Sequence, residues 1–63
     1  MDSQDVGHVA VDLSEEFADR VTHSTVVAVV DRAERDLRGQ VRAGAFPELV
    51  HRLAWIRLAR LTA

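Results

Sequence analysis

The sequence predicts an all-α fold, a small three-helix bundle, on three observations. Three stretches repeat their apolar residues with the 3.6-residue period of a helix, and none alternates with the period of a strand. Residues that start and stop helices fall between those stretches, with Thr22 before the second, Gly39 after it and Pro47 before the third. The chain, at 63 residues, has room for one domain and one modest core.

The first helix is expected over residues 9–21, preceded by a flexible acidic segment at 1–8. Leu13, Phe17 and Val21 stack at i, i+4 and i+8, with Val9 and Ala10 beside them, while Asp12, Glu15, Glu16 and Asp19 take the opposite face. Acids in the early turns suit the positive end of the helix dipole. Glu15 and Glu16 point about 100° apart and form no convergent pair. Glu15 and Asp19 form a like-charge i, i+4 pair on the solvent side, which costs a few tenths of a kcal/mol unless a basic group answers it.

The second helix is expected over 23–38, opened by Thr22, whose hydroxyl can accept a backbone N–H left free by the first turn. Val26, Val30, Ala33 and Leu37 make its inner stripe, with Val27 and Val29 alongside. The run Val26-Val27-Ala28-Val29-Val30 has the β-branched character of a buried strand. The charged residues that follow keep the helical period, so helix is preferred. Gly39 ends this element, and Gln40 to Ala45 form the connection.

Pro47 signals the third helix, expected over 47–61, because proline in the first turn forfeits no intrahelical hydrogen bond. Leu49, Val50, Leu53, Ala54, Ile56, Leu58 and Leu61 span more than half of its circumference, and Trp55 and Ala59 lie on the remaining side between His51 and Arg52. So wide an apolar arc belongs to the central helix of the bundle or to one that also meets another chain. The expected core is Leu13, Phe17, Val21, Val26, Val30, Ala33, Leu37, Leu49, Val50, Leu53 and Ala54.

Composition narrows the chemistry. Cysteine is absent, which removes disulfides, thiolate catalysis and Cys-based zinc sites. No two of His8, His23 and His51 sit at the helical spacing of a metal pair. A Ser/His/acid set can be drawn from Ser14 or Ser24, but no nucleophile motif surrounds it, so no catalytic residue, metal site or cofactor is expected. The histidines could make association respond to pH between about 5 and 7. A domain this small buries only about 60% of its unfolded surface, and without disulfides or a metal the remaining stabiliser is association.

Charge is unevenly spread. The first 23 residues carry six acids against one arginine, and residues 38–63 carry five arginines against one acid. The two ends can therefore attract each other within one bundle or between two copies. Arg52, Arg57 and Arg60 on the third helix raise nucleic acid as a partner in the manner of a helix-turn-helix protein. Against this, the net charge is −2, the first helix would repel phosphates, and the positions that would meet base edges are aliphatic. Nucleic acid is not expected. No apolar run approaches the roughly 20 residues of a membrane span. The opening Met1-Asp2-Ser3-Gln4-Asp5 has neither the basic nor the apolar part of a signal peptide, so a cytoplasmic location is expected.

The order Leu13, Phe17, Val21-Thr22, then Thr25-Val26 opening a helix, then Pro47-Glu48-Leu49, Arg52-Leu53-Ala54 and Arg57-Leu58, resembles a three-helix module of actinobacterial proteins. In that family the module precedes an arsenate reductase domain of the low-molecular-weight-phosphatase type and serves dimerisation. The chain is also similar to short stand-alone proteins with a segment like Gly44 to Ala54. The resemblance covers residues 9–61, mostly at helix-packing positions, and implies an association role. The reductase half of such fusions needs a cysteine in a phosphate-binding loop; none is present here, so no catalytic residue carries over.

The expected partner is a second copy, in a homodimer, with a heterologous protein as the alternative. The candidate interface is Trp55 with His51, Arg52, Leu58 and Ala59. Trp55 has two readings of equal weight: an indole partly buried against its own chain, or an interface anchor of the kind Trp and Arg commonly supply.

Overall fold

A computed structural model describes the backbone of residues 2–63, with side chains over 7–42 and 44–63. Among the described residues the chain forms three α-helices and no strand: α1 (Asp2–Glu16), α2 (His23–Leu37) and α3 (Phe46–Leu61), with a 3₁₀ turn at Ala43–Ala45 leading into α3. Each helix packs on the other two, giving a small all-α bundle. No helix is long and apolar enough to cross a membrane among the described residues.

The first helix differs most from its expected bounds. It begins at Asp2, inside the segment expected to be flexible, and stops at Glu16 rather than 21. Residues 2–8 lack the apolar period that marks a buried helix, but they contain no proline. A helix nucleated at Val9–Leu13 therefore extends backwards at little cost. At its other end Phe17 N still donates to Leu13 O at 2.9 Å, after which Arg20 N and Val21 N both turn back to Phe17 O at 2.9 and 3.0 Å. That turn keeps Phe17 in helical phase, so Phe17 is buried and Val21 partly buried although both lie beyond the helix. The chain must leave the helix here to reach the extended backbone of Thr22, at φ −77° and ψ 159°.

Thr22 caps α2. Its Oγ1 accepts the backbone N–H of Thr25 at 3.2 Å, one of the donors a helix start leaves without a partner. The valine-rich run is helical, and its period brings Val26, Val30 and Ala33 to the core. Three i, i+4 ion pairs line the outside of α2: Asp31–Arg35 at 3.2 Å, Arg32–Asp36 at 3.4 Å and Glu34–Arg38 at 2.8 Å. Each has an exposed arginine, and Glu34 and Asp36 are partly buried; such pairs contribute about 0.3–0.5 kcal/mol. The helix ends in a type II turn, with Arg38 at φ −62° and ψ 127°, Gly39 at φ +82°, and Gln40 N donating to Leu37 O at 3.0 Å. Only glycine takes that positive φ without strain.

Helix α3 starts one residue earlier than expected, so Pro47 occupies its second position, still within the turn whose N–H groups have no intrahelical acceptor. Val50, Ala54 and Leu58 form its fully buried stripe. They meet Val9, Leu13 and Phe17 from the first segment and Val26, Val30 and Ala33 from α2 in one apolar core with no buried polar residue among those described. The alanines at positions 33 and 54 leave room for the helix backbones to approach. Thr62 closes α3, its hydroxyl donating to Leu58 O and Ala59 O at 3.2 Å each.

Val21, Leu37 and Leu53, all expected in the core, are partly buried and pack against it, and Leu49, also expected there, is partly buried. Leu58, expected at an interface, belongs to the core instead. It is fully buried because it continues the i, i+4 line of Val50 and Ala54, and a residue with no exposed surface cannot contact a second chain.

Candidate interaction surface

With Val50, Ala54 and Leu58 turned inward, α3 still presents apolar groups to solvent. Trp55 at its side and Ile56 on the far side are each 40% exposed, and Leu61, which continues the buried line at the helix end, is 63% exposed. The surface of α3 divides into two flanks, one along α1 and one along α2.

The α1 flank carries Trp55. Its indole Nε1–H donates to Glu16 Oε2 at 2.7 Å, across 39 residues of sequence. Its ring meets Phe17 in an edge arrangement, with centroids 6.0 Å apart and planes at 67°. The Arg20 guanidinium lies 5.2 Å from the centroid of that same Phe17 ring. The indole thus joins α3 to the end of α1 by one hydrogen bond and one aromatic contact, which is the intramolecular one of its two expected roles. Its exposed remainder still faces solvent. Of its expected neighbours, Arg52 is exposed and reaches Glu48 at 3.5 Å, while His51 and Ala59 are partly buried. Further up this flank an open depression of about 370 Å³ is lined by His8, Asp12, Pro47, Glu48 and His51. No group of three histidines or acids among the described residues is placed to hold a metal ion.

The α2 flank is more apolar. Leu37, Leu49, Leu53 and Ile56, with Arg52 at the edge, line a groove of about 180 Å³. Arg57 reaches across from α3 to Asp36 at 2.7 Å, and Arg32 approaches the same carboxylate from within α2. The hydrogen bond from Arg57, helped by the charges of Arg57 and Arg32, holds the Asp36 carboxyl below its ordinary pKa. By periodicity Leu37, Leu49 and Leu53 are expected in the core, and Ile56 in the apolar arc of α3. The signal for the groove was the i, i+4, i+7 spacing of Leu49, Leu53 and Ile56, which continues on the side of α3 away from Val50 and Ala54.

Two further placements bear on chemistry. Ser14 Oγ and His23 Nδ1, members of a possible Ser/His/acid set, lie 2.6 Å apart. The bond ties the last turn of α1 to the first residue of α2. No acid is hydrogen-bonded to that histidine among the described residues. Among the described residues, the acidic and basic ends of the chain, expected to attract, form no ion pair: the ion pairs there lie within α2 and its C-cap, within α3 or between those two. The acids Asp12, Glu15 and Asp19 have no arginine against them.

Compared with known proteins, the chain matches no family model, no curated protein and no solved structure.

Proposed function

We propose that this chain is a non-catalytic association module that pairs with a second copy of itself through the outer surface of α3. The observation that carries the reading is the two-sidedness of that helix. Val50, Ala54 and Leu58 are already fully buried in the core, yet Trp55 and Ile56, at other angles of the helix, each leave apolar surface exposed. A bundle of this size gains stability by covering such surface, at about 25 cal/mol per Å² removed from water. The resemblance to three-helix dimerisation modules supports the same role. Trp55 contributes through the face of the indole left open by Phe17, and Arg52 through its exposed guanidinium.

The test is the solution mass, by light scattering after size exclusion, over a range of protein concentrations. The expected mass is twice 7.0 kDa, falling towards 7.0 kDa on dilution. A mass of 7.0 kDa that persists to high micromolar concentration would refute self-association.

A second reading has its own observation. The acids of α1, with no arginine against them in the bundle, suit a partner that brings a basic face. In that reading the chain is an adaptor for a different protein, and it is a monomer until that partner is added.

A further inference from the structure

We draw no further inference here: the strongest candidate, the solvent-open apolar groove of Leu37, Leu49, Leu53 and Ile56 between α2 and α3, carries nothing because no feature of the structure shows what covers it.

Discussion

Trp55 and Glu16 are joined by a 2.7 Å hydrogen bond between an indole N–H and a carboxylate, the polar link that holds α3 to the end of α1. Its surroundings give it consequence. Glu16 is the last residue of α1, and the chain turns at the next position, where Phe17 receives the edge contact of the same indole. The bond therefore fixes both the helix end and the ring on which Arg20 rests.

Trp55→Phe keeps an aromatic ring against Phe17 and removes the donor, and it should cost about 1 kcal/mol, less than the roughly 1.5–3 kcal/mol of a hydrogen bond to a charged group because the site is open to water. Glu16→Ala should cost a similar amount. The double variant should lose less than the sum of the two, with a coupling of about 0.5–1.5 kcal/mol in urea unfolding. Strictly additive losses would show that the two groups do not act as a pair.

The Asp36–Arg57 pair gives a prediction with a definite sign. Hydrogen bonding from Arg57 lowers the folded-state pKa of Asp36 below its ordinary value of 3.8. A carboxyl depressed on folding contributes stability that is complete above its unfolded value and disappears as pH falls through the lowered one. Asp36→Asn should thus be less stable than wild type near neutrality, and the gap should close as pH drops below about 4. Thermal midpoints of the two proteins across that range measure the gap. A gap that persists undiminished into strong acid would mean that the asparagine acts through packing.

Much of the fold was legible because the signals were local. Thr22 announces a helix start through a hydroxyl that reaches only three residues ahead, and Gly39 announces an end through a backbone angle of its own. The limits of α1 were not legible for the opposite reason. Asp2 to His8 carry no apolar period, so their helicity follows from propagation out of the packed segment, and Glu16 ends the helix because the chain has to turn towards Thr22. Trp55 and Leu58 show the same limit at the candidate site. On a helical wheel of α3 alone they are neighbours on an ambiguous arc. Only the positions of α1 and α2 decide that one is fully buried and the other 40% exposed.

The two loop glycines should respond differently to alanine. Gly39 sits at φ +82°, and although an added Cβ would meet nothing within 4 Å, the backbone conformation itself disfavours it. Gly39→Ala should lose about 1–2 kcal/mol. Gly44 has equally open surroundings and no positive φ, so Gly44→Ala should be neutral or gain about 0.4–1 kcal/mol by reducing the freedom of the unfolded chain. Chemical denaturation of both variants makes the comparison, and equal effects would contradict the turn geometry at Gly39.

Leu58 separates core from interface most sharply. If it served association, shortening it would weaken the dimer and leave the folded chain intact. Its complete burial among Leu13, Phe17 and Val26 within a single chain assigns it to folding instead. Leu58→Ala should cost about 2–5 kcal/mol. A chain of 63 residues has a total stability of only about 3–9 kcal/mol, so the alanine variant forfeits a large share of it. Leu58→Val removes one methylene and should cost about 1 kcal/mol, leaving a folded protein on which both properties can be read. Its unfolding midpoint should fall by the same amount at low and high protein concentration, with the dimer dissociation constant unchanged. A loss confined to the dissociation constant would return Leu58 to the interface and would require α3 to sit differently on its neighbours.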